Sequence, residues 1–206
     1  MKGYRLQFIR HGITQGNLDG KYIGLTDEGL CSRGREELMA KKQEMIYPHV
    51  ERIYTSPLKR CRETAELLYT DCTMRLVPEL REMNFGDFEN RRALDIMDTP
   101  EYKEFMKGGL DNPPPNGESM RDVVERCYWA ADFIINDMME KGVDTAAVIT
   151  HGGIIMNMLS CFGLPKAAPM NWPSDFGEGY EVLVTADMWQ RSNAFEIRGK
   201  FPYLKD

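Results

Sequence analysis

Histidine is scarce in this chain of 206 residues, which holds only 3. Cysteine is little commoner: 5 are present (Cys31, Cys61, Cys72, Cys127, Cys161), an odd number with no CxxC pair. Neither a disulfide framework nor a zinc knuckle is indicated, and a reducing, cytoplasmic setting is expected. A metal centre of several imidazoles is poorly supplied. No uninterrupted apolar run approaches the ~18 residues of a membrane span. The opening "MKGYRLQFIRHG" carries charges every few residues instead of a signal-peptide core, so no membrane partner is expected. Basic blocks are also missing: 26 Lys and Arg face 32 Asp and Glu, a net charge of -6, which argues against a nucleic-acid partner.

What is present is a regular alternation. Apolar, β-forming runs occur at 4–9, 52–55, 74–77, 145–149, 180–185 and 193–198. Helical periodicity fills 32–46, 57–69 and 119–141. The spacing predicts an α/β fold, a three-layer α/β/α sandwich around a mainly parallel sheet of about six strands. One domain over 1–206 fits the length. The clearest break, "GGLDNPPPNGE" at 108–118, reads as a loop within it. Ser56 is the expected N-cap of the second helix, with Pro57 its first residue, and Ser119 with Asp122 forms the pattern of a capping box.

The scarce histidines are placed in a pattern. In "FIRHGITQGN" an apolar strand ends on Arg10 and His11, followed by Gly12. In "TAAVITHGGIIMNML" another strand ends on His151, followed by Gly152 and an apolar helix. Carboxyl ends of strands are where open α/β sheets bind ligands. If the two strands are parallel neighbours, both imidazoles meet at one edge. Taken alone, His11 reads as well as an ordinary loop histidine and Arg10 as a solvated charge; the repetition favours a shared pocket. Arg60, in the first turn of a helix where a cation is mildly unfavourable, makes sense beside a bound anion. The third histidine, His49, lies in a polar connection and reads as exposed. A general acid would have to come from Glu79, Glu82, Asp87 or Glu89, among which composition does not choose.

Together these segments resemble the histidine phosphatase superfamily, also called the phosphoglycerate mutase-like family. "RHGITQGN" matches RHGxTxxN in full, and "TSPLKRCRETA" matches SPLxRAxxTA except for Cys61 in place of alanine. "LREMNFGDFEN" matches LxExxFGxxEG except for Asn90, while "NGES" and "VITHGG" follow the later boxes. "YIGLTDEGLCSRGREEL" follows a further segment, with Cys31 at a usual Thr or Ser cap, a role that passes to Ser32. The resemblance implies a histidine acid phosphatase-type phosphoric monoester hydrolase acting on a small phosphorylated metabolite. It implies His11 as nucleophile through a phosphohistidine, Arg10 and Arg60 as phosphate clamps, His151 as a further donor and Glu82 as acid and base. Asn17 and the N–H of Gly152 become further phosphate contacts. No metal or cofactor is implied. The alternative, cofactor-dependent phosphoglycerate mutase-type transfer, fits less well because "EMNFG" stands where mutases carry ERxYG. An idle binding protein on the same fold is disfavoured because the whole residue set is present. A lid is expected at 91–118, with 161–180, and Tyr102, Phe105 and Trp172 are the aromatics available to an organic group. The 14 Met read as packing.

Overall fold

The computed structural model describes residues 2–205. The strands are β1 (Gly3–Arg10), β2 (Met45–Ile46), β3 (Arg52–Thr55), β4 (Met74–Leu76), β5 (Thr145–Thr150), β6 (Gly163–Leu164), β7 (Gly179–Thr185), β8 (Phe195–Phe201) and β9 (Tyr203–Leu204). The helices are α1 (Gln15–Leu18), α2 (Ser32–Glu44), α3 (Lys59–Leu68), α4 (Ala93–Ile96), α5 (Pro100–Phe105), α6 (Met120–Lys141), α7 (Gly152–Phe162) and α8 (Ala186–Ser192).

Seven strands form the main sheet in the order β4-β3-β5-β1-β7-β8-β6, and β2 pairs with β9 apart from it. From β4 to β1 every pairing is parallel; β7 then runs antiparallel to β1, and β8 antiparallel to β7. The sheet therefore has one strand more than the expected six. The addition, β6, is two residues long at an edge, too short to show any period.

Alternation along the strands builds the two outer layers. Leu6 and Phe8 of β1, Tyr54 of β3 and Ala146 and Val148 of β5 face a core closed by Val123, Ile134 and Met138 of α6 and Ile154 and Met158 of α7. The intervening Ile9, Ile53, Ala147 and Ile149 face a second core with Leu38 of α2 and Cys61, Ala65 and Leu68 of α3. Period-2 strands buried on both faces require this sandwich.

Helix starts test the capping rules. Ser119 does cap α6, its side chain accepting from Asp122 N–H in a complete capping box. Cys31, not Ser32, caps α2: its Sγ accepts from Gly34 N–H at 3.3 Å, and Ser32 is already helical. Ser56 and Pro57 precede α3 instead of opening it. Leu58 occupies the cap position without a side-chain hydrogen bond, and the Ser56 hydroxyl is used elsewhere.

Candidate active site

β1 and β5 are parallel neighbours with Arg10 opposite Thr150, so the residues that follow each strand emerge side by side. The His11 and His151 rings lie 5.1 Å apart, centroid to centroid, edge on. His11 is 5% exposed and His151 fully buried. Nδ1 of His11 lies 2.7 Å from the Gly12 carbonyl oxygen. A carbonyl only accepts, so Nδ1 carries the proton and Nε2 keeps its lone pair. Burial, then the charge of Arg60, holds the His11 pKa well below the usual imidazole value; the Gly12 carbonyl opposes this and Arg10 adds to it. A neutral imidazole with an unprotonated Nε2 results.

His151 is oriented by its neighbours. Arg60 Nε donates to its Nδ1 at 3.3 Å, which leaves the proton on Nε2, 3.0 Å from the Ser56 hydroxyl. Burial and then Arg60 also hold this imidazole well below its ordinary pKa, with His11 adding to the effect. Cys61 fills the space beneath, its Sγ 3.5 Å from His151 Nε2 and 3.6 Å from the Thr150 carbonyl oxygen. Burial pushes that thiol up to about 12, so it stays protonated and is not a competing nucleophile. The sequence reading missed Ser56 because a Ser-Pro pair before a helical run is ordinarily a cap.

The two guanidinium groups differ. Arg60 is fully buried and donates to the Thr26 carbonyl at 2.8 Å and the Gly24 carbonyl at 2.7 Å. Glu89 grips the other side of that loop, accepting from the N–H groups of Gly24, Leu25 and Thr26. The loop lies so close to the 80s segment that a Cβ on Gly24 would come within 2.0 Å of the Met83 carbonyl oxygen. Arg10 is less committed. One nitrogen donates to the Ser174 carbonyl at 2.8 Å, and the group stacks on Phe176 at 3.9 Å. Its Nε, buried, finds no acceptor among the described residues. An orphaned cationic donor beside a second cation is what an anion site requires.

Gly152 opens α7, and a Cβ there would meet Arg10 Nε at 3.3 Å, so the helix terminus and the guanidinium share one cradle. Asn17 sits in the capping box of α1, its side chain accepting from Thr14 N–H and its N–H donating to Thr14 Oγ1; these contacts tie it to Thr14, not to the imidazoles.

Glu82 comes from the segment after the turn Pro78–Leu80. Thr150 Oγ1 donates to the Leu80 carbonyl at 2.8 Å, pinning the segment to the end of β5. From α6, Arg126 donates to the carbonyls of Glu79 and Arg81 and is itself held by Glu118. The Glu82 carboxylate accepts from Met83 N–H at 2.9 Å. Burial raises its pKa above the ordinary value of 4.5, against the pull of Met83 N–H, Arg60, Gly153 N–H and Arg10. Of the four carboxylates considered, Glu89 is the loop clamp, and Asp87 is exposed and bonded to Asn116. Among the described residues, no three His, Cys, Asp or Glu side chains are grouped to hold a metal ion. No helix there is long and apolar enough to cross a membrane.

A family model, the histidine phosphatase superfamily (branch 1), matches residues 6–192. The chain belongs to that superfamily. Among its relatives, an Escherichia coli protein named adenosylcobalamin/alpha-ribazole phosphatase is 30% identical over 178 residues, covering 84% of this chain and 86% of the relative. A probable phosphoglycerate mutase, GpmB, of Cronobacter sakazakii is 30% identical over 170 residues, covering 80% of this chain and 77% of that one. A solved putative alpha-ribazole-5'-P phosphatase from Escherichia coli superposes with a TM-score of 0.80 at 25% identity, covering 98% of each chain. The histidine phosphatase fold is thus shared along almost the whole chain, including the two strand ends that carry His11 and His151.

Proposed function

We propose that the protein is a phosphomonoesterase that works through a phosphohistidine on His11. The observation that carries this is the bond from His11 Nδ1 to the Gly12 carbonyl, which leaves Nε2 unprotonated beside two arginines. Nε2 attacks phosphorus and forms the P–N bond as the bond to the leaving oxygen breaks; Glu82, whose pKa burial raises, supplies that oxygen with its proton in its acid form. Arg10 and Arg60 meet the charge on the non-bridging oxygens, with the N–H of Gly152 and the Nδ2–H of Asn17, which its bond to Thr14 leaves unused, as further contacts; the Nε2–H of His151 exchanges its Ser56 partner for a phosphate oxygen. Water then attacks the phosphohistidine, Glu82 takes its proton, and inorganic phosphate leaves. No step requires a metal.

Two arguments support hydrolysis over internal transfer: "EMNFG" departs from the mutase box, and one of the relatives is named as a phosphatase. Mutase-type transfer is the competing reading, favoured by relatives named as probable phosphoglycerate mutases. Incubation with 3-phosphoglycerate and a trace of bisphosphoglycerate separates the two. Release of phosphate with little 2-phosphoglycerate is expected, and fast interconversion would overturn hydrolysis as the main activity. Rapid quenching with a radiolabelled phosphomonoester should trap an acid-labile label on His11; a label found on Cys61 or on none of the residues would reject the mechanism.

A further inference from the structure

A cavity of about 400 Å³ adjoins the cradle, and Glu82 and Gly153 form their common border. Beyond them its walls are Met83, Phe85, Phe105, Met120, Met156 and Met170, with Val123 and Pro169. The volume lies in the range of small-molecule sites. Its surface is unusual for a site next to two arginines. Only Glu82 and Asn157, of all the residues lining it, have polar side-chain ends. Asn157 Nδ2 is already used, donating to the Gly153 carbonyl at 2.8 Å. No Lys or Arg lines the cavity, so a carboxylate or second phosphate entering it would lose water and gain no cation.

The wall is braced on one side and adaptable on the other. Phe85 packs on Tyr22 at 4.9 Å and Phe105 on Phe88 at 5.6 Å, against the small core of Phe88, Ile96 and Tyr102. Four methionines, whose unbranched thioethers refit to irregular apolar shapes and contact aromatic rings favourably, make up much of the rest. Met170 stands 79% exposed at the rim.

We propose that this cavity receives the organic part of the phosphomonoester, and that this part is uncharged and apolar, an aromatic ring system or a comparably bulky hydrocarbon, joined to the phosphate held in the cradle. The inference rests on the phosphatase reading for the orientation of the ester, with the leaving oxygen at Glu82.

Phosphates of primary alcohols keep leaving-group chemistry constant while the organic part changes. With 2-(2-naphthyl)ethyl phosphate, kcat/KM should exceed that for glycerol 3-phosphate and 3-phosphoglycerate by about a hundredfold, the scale set by burying one ring system. Met156→Lys should narrow the ratio to 3-phosphoglycerate at least tenfold by placing a cation in the wall. Phe105→Ala should narrow the ratio to glycerol 3-phosphate, each ratio being internal to one preparation. Calorimetric binding of the non-hydrolysable 2-(2-naphthyl)ethylphosphonate, against 3-phosphonopropionate, reads the cavity without turnover. Tighter binding of the naphthyl compound together with no phosphate release from any ester would uphold the cavity's preference and defeat the phosphatase reading. Equal binding, or preference for the carboxylate, would overturn the proposal whatever the enzyme hydrolyses.

Discussion

Two regions meet at Glu82, and they were built by different rules. On one side the cradle is assembled from strand ends and helix starts, places where backbone geometry alone dictates the position of a side chain. On the other the apolar cavity draws on five stretches, at 82–85, at Phe105, at 120–123, at 153–157 and at 169–170. The cradle tolerates little change because each charged group is oriented by backbone carbonyls, N–H groups or another imidazole. The cavity consists of interchangeable apolar side chains, which makes it the place where specificity can drift without loss of chemistry.

Breaking the cradle should produce the largest effects. His11→Ala should abolish release of p-nitrophenol from p-nitrophenyl phosphate while circular dichroism stays that of the parent; a variant with undiminished turnover would remove His11 from the chemistry. Glu82→Gln should lower kcat on alkyl phosphates by about 10²–10⁴-fold, the usual span for a lost general acid. The loss should be smaller on p-nitrophenyl phosphate, whose leaving group hardly needs a proton. Equal losses on both ester types would mean Glu82 positions water or substrate only.

At the frame between the regions, Arg126→Ala should cost about 1–3 kcal/mol of stability, because it leaves the mostly buried Glu118 carboxylate with only Arg81 and Asn84 N–H and frees the Glu82 segment. Chemical denaturation measures this, and a cost under about 1 kcal/mol would show the Arg126 network to be no more than a surface pair. The buried imidazoles add a pH dependence. Both have folded pKa values depressed below 6.5, so their contribution is complete above that pH and is lost as acid protonates the unfolded chain first. The melting temperature should therefore fall below pH 6.5, less steeply in His151→Asn; identical slopes in parent and variant would contradict a neutral buried His151. The smallest effect belongs to Cys61→Ala, which removes one buried sulfur. About 1 kcal/mol of stability should go, as for other small core truncations, with turnover nearly unchanged. A large loss of turnover would make the sulfur a positioning group for His151.

Legibility in the sequence followed the same divide. The α/β sandwich was readable because strands such as Thr145–Thr150 are short apolar runs ending in a turn residue, whereas the parallel pairing of β1 with β5 entered only as the condition for a shared pocket, a condition the register meets. His11, Arg10 and His151 were singled out because they sit at the ends of such strands, and Arg60 because a cation in the first turn of a helix calls for an anion. Ser56 was misassigned since the same local pattern serves a helix cap and a histidine partner, and only the tertiary position of His151 distinguishes them. Phe176, stacked on Arg10, lies in a stretch with neither period nor motif. Of the aromatics singled out, Phe105 lines the cavity, whereas Tyr102 bonds Tyr22 behind it and Trp172 packs on Tyr180. The methionines were read as filler because, one at a time, a cavity wall and a core look alike.

The reversal of strand direction after β1 decides which connection can reach the arginine. Since Gly179 at the start of β7 lies opposite Ile9 near the end of β1, the chain arriving at β7, rather than the chain leaving it, is delivered to the edge where His11 and His151 meet. Glu178 and Gly177 bond to the Arg10 backbone there, and Ser174 and Phe176 follow as a matter of course. Insertions or deletions upstream of Ser174 can therefore reshape the mouth of the enzyme while the two residues that steady Arg10 stay anchored to the sheet.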